Sequence, residues 1–283
     1  VAFLHVDDTV YISQCYPYTF TMAQRLNTRL LQEKRSAVVR RELLCHSYGG
    51  NVCDLLTVTD FSSPPAEVAA RKAVVISARV HPGESNASWM MHGLLEAVTA
   101  DTPEARLLRR TVALKIIPML NPDGVILGNY RCSVTGVDLN RQWAEPHETN
   151  HPTIHALKRL MRGYIATDQL LLFCDLHGHS RKRNIFAYAC ENMKAPTRLR
   201  ERVFPRLLAD CAHFSLGGCS FKVLRSKETT GRVVVWRQFA TPNSFTLEAS
   251  FCGADFGPAA GAHFTIAHLK EMGAAFVPAL VEF

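Results

Sequence analysis

No stretch of this chain approaches the roughly 18 consecutive apolar residues of a membrane-spanning helix. Its opening, Val-Ala-Phe-Leu-His-Val-Asp-Asp, lacks the basic-then-apolar form of a signal peptide. It also lacks an initiator methionine, so the sequence reads as part of something longer. No Cys-x-x-Cys pair occurs among the nine cysteines, at positions 15, 45, 53, 132, 174, 190, 211, 219 and 252. That odd and scattered set, with Cys174 inside an apolar run, argues against a disulfide framework and for buried reduced thiols in a cytoplasmic protein. Internal repeats and low-complexity tracts are missing too. With 20% charged and 47% hydrophobic residues, a disordered chain is excluded. The 283 residues suffice for one large α/β domain or two small ones.

The formal net charge is +7, which would suit nucleic acid, an anionic membrane or an acidic polypeptide. The charges are dispersed, with one short cluster at Arg181-Lys182-Arg183, and no helix-turn-helix, zinc-finger or RNA-recognition signature accompanies them. Nucleic acid is therefore not an expected partner, and no membrane partner is expected. A monomer is expected.

Along the chain, aromatic-rich residues 1–20 read as an extended entry segment. A helix is expected over Thr21–Arg41. Strands are expected at Leu43–Leu44 and Leu55–Val58, joined by a Gly49-Gly50-Asn51 turn. A buried strand over 73–80 runs into a helix over Ser85–Val98. Val112–Leu120 is a further strand ending in an Asn121-Pro122-Asp123-Gly124 turn. Then follow a helix at Pro152–Gly163, strands at Leu170–Cys174 and Ile185–Ala189, and a helix at Thr197–His213. Short strands at Val233–Trp236 and Phe245–Leu247 precede a closing helix at His263–Phe276. The alternation predicts an α/β fold, a mixed, mostly parallel twisted sheet with helices on both faces.

Open α/β sheets place ligands at strand ends. His81-Pro-Gly-Glu84 sits at such an end, where a His and a Glu three apart can face one metal ion, an O/N pairing that suits zinc. The third ligand is expected after another buried strand. Asp175-Leu-His177-Gly-His179 supplies it, although strand alternation puts both histidines on one face and leaves the choice open. Glu248 is the one acid in the apolar stretch Ser244–Phe251. A carboxylate there suits a general base and acid for a hydrolytic zinc site. Asn86-Ala87-Ser88 is formally a glycosylation sequon, but it lies beside the metal motif and is discounted.

Six motifs then occur in order: His81-Pro-Gly-Glu84-Ser, Asn121-Pro-Asp-Gly, Asn129-Tyr-Arg131-Cys, Val137-Asp138-Leu-Asn140-Arg141, Asp175-Leu-His177-Gly-His179-Ser and Thr246-Leu-Glu248-Ala-Ser-Phe. From about Tyr16 onward the chain resembles the zinc metallocarboxypeptidases, specifically their cytosolic branch. Members of that branch trim glutamates from tubulin and other acidic proteins. The resemblance implies one Zn²⁺ ion on His81, Glu84 and His177, with Glu248 as general base and acid. It implies Arg131 as the group polarising the scissile carbonyl, and Asn140 with Arg141 as the grip on the terminal carboxylate, a fit a guanidinium fork makes well. Asp138 would orient a ligating histidine. Residues 1–15 would be the remnant of an upstream β-domain and linker, with 16–283 the catalytic domain. Association with the cytoskeleton would follow from a tubulin substrate.

Secretory relatives in this family close a mobile Tyr over the substrate shortly before the catalytic Glu. Here no Tyr lies between Cys219 and Phe251, so the role is either absent or filled from elsewhere, by Trp236 or a basic side chain. Glutamate selectivity needs a cation facing the side chain. Arg232 is the first candidate, with Lys227 and Arg225 behind it, and Arg181-Lys182-Arg183 would rim the site. Two other readings compete: an N-acyl amino acid deacylase of the same fold, and a non-catalytic binder of acidic protein tails.

Overall fold

A computed structural model describes residues 5–33, 37–194, 196–211 and 213–283. Residues 5–14 are exposed and form no strand; residues 1–4 of the expected entry segment lie outside the described part. The helix α1 covers Phe20–Gln32, capped by Thr19 accepting from the Met22 amide, and stops well before the expected Arg41. Residues 34–36 lie outside the described part, and Val39 already opens the first strand.

Seven strands follow: β1 (Val39–His46), β2 (Val52–Val58), β3 (Lys72–Ala78), β4 (Val112–Ile117), β5 (Leu170–His179), β6 (Ile185–Tyr188) and β7 (Ser244–Ser250). They form one sheet in the order β1-β2-β4-β3-β5-β7-β6. Among the described residues only the central four strands, β4, β3, β5 and β7, are mutually parallel. The hairpin β1–β2, its contact with β4, and the edge strand β6 are antiparallel. The sheet is thus evenly mixed rather than mostly parallel. Both edges return through links of a few residues, too short for the helical crossover that parallel pairing needs.

The remaining helices are α2 (Pro65–Ala70), α3 (Ser85–Val98), α4 (Pro103–Thr111), α5 (Pro122–Leu127), α6 (Pro152–Ala166), α7 (Val203–Leu208), α8 (Gly231–Phe239), α9 (Ile266–Ala274) and α10 (Phe276–Glu282). The central strands read as continuous apolar runs because both faces are covered. Val74, Ile76, Leu172, Cys174 and Leu176 enter a core shared with α3, α9 and α10. Val75 and Phe173 enter a second core with Trp143, α6 and α8. Along β5 the same alternation carries Asp175 and His177 to the α6–α8 side at the strand's end.

Four further expectations change. The Asn121-Pro-Asp-Gly turn opens a helix: Asn121 Oδ1 accepts from the Gly124 amide and Pro122 fills the first position, where no N–H is needed. Val233–Trp236 is helical, not a strand. Val234 and Val235 pack into the second core, and that burial overrides the β preference of a valine run. The Thr197–His213 helix shrinks to α7, after a short 3₁₀ turn at Arg200–Arg202, because the Pro205 ring would clash with a helical turn ahead of it. The closing helix starts later than expected, at Ile266, and continues as α10 to Glu282. All nine cysteines are free, although only Cys53, Cys174 and Cys190 are fully buried and Cys252 is exposed.

Helix α3 descends from the candidate metal motif and crosses α9 at backbone contact. A Cβ on Gly93 would overlap the Lys270 carbonyl, and one on Gly273 would overlap the Met90 carbonyl. Gly93→Ala should therefore destabilise the protein by about 2 kcal/mol through overpacking. Gly163→Ala, with open space at its Cβ in α6, should be neutral or stabilise slightly. Thermal unfolding of both variants checks this; equal melting temperatures would contradict the close crossing.

Candidate metal centre and substrate cleft

Three side chains from two strand ends meet at one point. His81 and Glu84 follow β3, and His177 comes from β5. Their ligand atoms all lie within 4.8 Å of one another, and all three residues are buried. His81 Nδ1 stands 2.8 Å from Glu84 Oε1, and His177 Nδ1 stands 3.0 Å from Glu84 Oε2. The two Nδ1 atoms are 3.2 Å apart. Each imidazole turns its far nitrogen to a carboxylate: His81 Nε2 to Asp138 at 3.2 Å, His177 Nε2 to Asp175 at 2.6 Å. A proton on each Nε2 leaves both Nδ1 atoms as lone pairs. Two nitrogen lone pairs and a carboxylate then converge with no proton between them, an arrangement that repels itself unless it shares a cation. The donor set suits zinc, and the carboxylate partner on each histidine fixes its tautomer as in known zinc sites.

Electrostatics agrees. Burial alone would raise the Glu84 carboxyl, yet His177 and His81 hold it well below the usual carboxylate range. Burial would lower His177, yet Asp175 and Glu84 drive it far up. Positive charge is demanded at this point, and a divalent ion satisfies the demand as a proton would. The spacing argument left His177 and His179 open. The structure separates them: His179 Nδ1 accepts from the amides of Arg181 and Lys182 instead.

The surroundings hold the three donors in place. Asp175, 1% exposed, also accepts from Ser77 Oγ at 2.7 Å, so its second oxygen is free to fix His177. Gly178 N donates to Glu84 at 2.9 Å. A side chain at Gly178 would overlap Asn86 Oδ1, and Asn86 Nδ2 donates to the Ala249 carbonyl, so α3 and β7 are locked together beside the site. The formal sequon at Asn86 is therefore 3% exposed and committed to the fold. Arg79 takes a left-handed turn at φ 62 just before the motif. Its buried guanidinium binds the Pro82 and Tyr18 carbonyls and Ser88 Oγ, holding that turn. Asp175 and Arg79 received no role from sequence. The signal available was an acid two residues before the ligand, which strand alternation puts on the same face.

A cleft of about 550 Å³ opens from the metal point. Arg131, Asn140, Arg141, Arg232 and Glu248 line it, and Asp138 stands behind His81. Glu248 lies opposite His177 in the β5–β7 register. Burial pushes its carboxyl up to about 7, His177 pulling it down and Glu84 raising it. Arg131 Nε and Nη2 both bind Asp138 Oδ2 at 2.9 Å. Asn140 Oδ1 accepts from the Gly231 amide at 3.0 Å, docking the start of α8 against the Asn140-Arg141 pair. Next on α8, Arg232 is 5% exposed, with Nη1 on the Ala189 carbonyl and Cys190 Sγ. Lys227 and Arg181 reach the cleft, and Arg225 does not line it. Trp236 turns away, donating to Asn192 Oδ1 at 2.9 Å, so it does not replace the missing Tyr.

The site defines a class, a mononuclear metal hydrolase on a mixed α/β sheet, and comparison with known proteins narrows it. Residues 27–207 match the model of the zinc carboxypeptidase family, and the chain belongs to that family. It is 44% identical to cytosolic carboxypeptidase 2 of Danio rerio over 98% of this chain and 39% of that protein. For the Mus musculus protein of the same name the identity is 45%, over 99% and 33%. The chain thus spans between 33% and 39% of the length of these relatives. Among solved structures, a metallo-carboxypeptidase from Pseudomonas aeruginosa, in complex with (2-guanidinoethylmercapto)succinic acid, superposes with a TM-score of 0.80. It is 27% identical and is matched over 94% of this chain and 69% of that one. A metallo-carboxypeptidase from Burkholderia cenocepacia, 24% identical, shares the fold at a TM-score of 0.79 over 94% and 69%. These comparisons carry the resemblance found by motif to family membership, and they make zinc the family's metal. No helix among the described residues is long and apolar enough to cross a membrane.

If Asp175 fixes His177, Asp175→Asn should weaken zinc affinity by about 10- to 100-fold while the fold persists. Zinc retention after dialysis against a graded chelator, read by elemental analysis, tests it. Wild-type retention would remove Asp175 from the role.

Proposed function

We propose that residues 16–283 form the catalytic unit of a zinc carboxypeptidase that removes C-terminal acidic residues, glutamates foremost. Its substrates are acidic or polyglutamylated protein tails such as tubulin's, and it works in the cytoplasm. The relatives' name, cytosolic carboxypeptidase, supports the reaction and the place. One observation carries the acidic preference: Arg232 is a buried guanidinium opening into the cleft, with no acidic partner among the described residues. A buried cation is costly unless an anion meets it, and a substrate carboxylate is the anion that can arrive.

His81, Glu84 and His177 would hold the zinc. When bound, the ion supplies Lewis acidity, lowering a water's pKa toward about 7 and polarising a carbonyl. Asn140 and Arg141 grip the terminal carboxylate, which makes the enzyme an exopeptidase. Arg131 faces the carbonyl oxygen as negative charge develops there. Glu248 takes a proton from the water whose oxygen attacks the carbonyl carbon. It passes that proton to the nitrogen of the breaking C–N bond, so the products are a shortened chain and a free amino acid. A carboxyl poised near neutrality suits both halves of that transfer.

Glu248→Gln should cut kcat by about 10²- to 10⁴-fold with zinc content and substrate binding retained. Undiminished turnover would sink the mechanism. Arg232→Gln should lower kcat/KM for a peptide ending in glutamate by about 10- to 100-fold, the loss expected for a hydrogen-bonded charge. Mass spectrometry of polyglutamate peptides, beside an N-acyl aspartate, reads both variants; faster cleavage of the N-acyl aspartate by the wild type would favour a deacylase instead.

A further inference from the structure

Tyr188 has no part in the roles above, yet it stands inside the same cleft. It lies on β6 opposite Thr246 of β7, and Phe186 lies opposite Glu248. Strand alternation puts Tyr188, Thr246 and Glu248 on one face, with His177 paired to Glu248 on the next strand. The ring is addressed by two cations, Arg232 Cζ at 5.8 Å and Lys182 Nζ at 5.5 Å from its centroid. The two residues after Tyr188 anchor Arg232, through the Ala189 carbonyl and Cys190 Sγ. Arg232 and Tyr188 are thus held as a unit on one wall.

The phenol hydroxyl has no hydrogen-bond partner among the described residues. Burial, and then the charge of Glu248, raise its pKa, so at neutral pH it is an O–H donor. Packing and cation–π contact would be served as well by Phe. A side-chain carboxylate has about four lone-pair positions, and one edge of a guanidinium fills two. With Nη1 of Arg232 taken by the protein, a further donor is needed on the same wall.

We propose that Tyr188 is a specificity-determining residue whose hydroxyl donates to the side-chain carboxylate of the departing acidic residue, completing the pocket that Arg232 charges. This rests on the acidic-residue reading above. It also places the phenol that is missing from the segment before Glu248 on a different strand and in a different task, reading the side chain instead of covering the substrate.

The test is Tyr188→Phe in the full-length protein, which removes one oxygen and keeps the ring. Paired peptides ending in glutamate or glutamine are compared. The glutamate peptide should lose about 10-fold in kcat/KM, with the loss in KM and kcat nearly kept, while the glutamine peptide changes little. Zinc content and melting temperature should stay at wild-type values. A glutamate-to-glutamine preference equal to wild type, whether both rates hold or both fall together, would overturn the Tyr188 assignment and leave the acidic-residue reading standing. A wild-type enzyme that shows no preference for glutamate over glutamine would overturn that reading, and this inference with it.

Discussion

Two imidazole lone pairs and a carboxylate aimed at one buried point cannot coexist without positive charge between them. Much of the cleft's architecture serves to keep that unfavourable arrangement in place. Asp138 and Asp175 bind the far side of each histidine and prevent either ring from turning its lone pair away. Ser77 holds Asp175, while Arg131 and Arg141 flank Asp138. The consequence is a site whose binding energy for a cation is prepared by folding. Strands β3 and β5 pair in parallel, Ser77 beside Asp175, so the support of His177 comes from the sheet, while Asp138 reaches His81 from the cap of a 3₁₀ turn at Leu139–Arg141.

The same constraint organises the substrate cleft. Asp138 neutralises part of Arg131 and Arg141, yet those two, Lys227 and Arg232 leave the cleft positive overall beside Glu248. Asn140 links the carboxylate grip to α8 by accepting from Gly231, and α8 carries Arg232 one residue later. The distance between the terminal carboxylate's grip and the side-chain pocket is thereby set by one hydrogen bond and one helix start. Trp143 fills the place where a Gly231 side chain would be, which ties this junction to the second core.

Helix α3 was legible to the residue and the strand before His81-Pro-Gly-Glu84 to within two residues, because an apolar run buried on both faces and an abrupt change of period mark the junction. The valine run of α8 misled, since its helical state comes from packing against Phe173 and Trp143, which lie far away in sequence. Arg79 carried no local signal of its importance, and Asp175 carried only its place two residues before a ligand. Arg79 matters through carbonyls that only the folded chain brings near, and Asp175 through the rotation of a neighbouring ring.

By itself the sequence determined the kinds of atom available to the site and the strand ends from which they project, because ligand chemistry and the two-residue period of a strand are local properties. It determined the family as well, through six ordered motifs. Only the tertiary structure joined Arg232 to the wall that carries Tyr188 and turned Trp236 away from the cleft. Those outcomes depend on which strand lies beside which and at what register. Pairing energies summed over the whole sheet set that register, and no single segment encodes it.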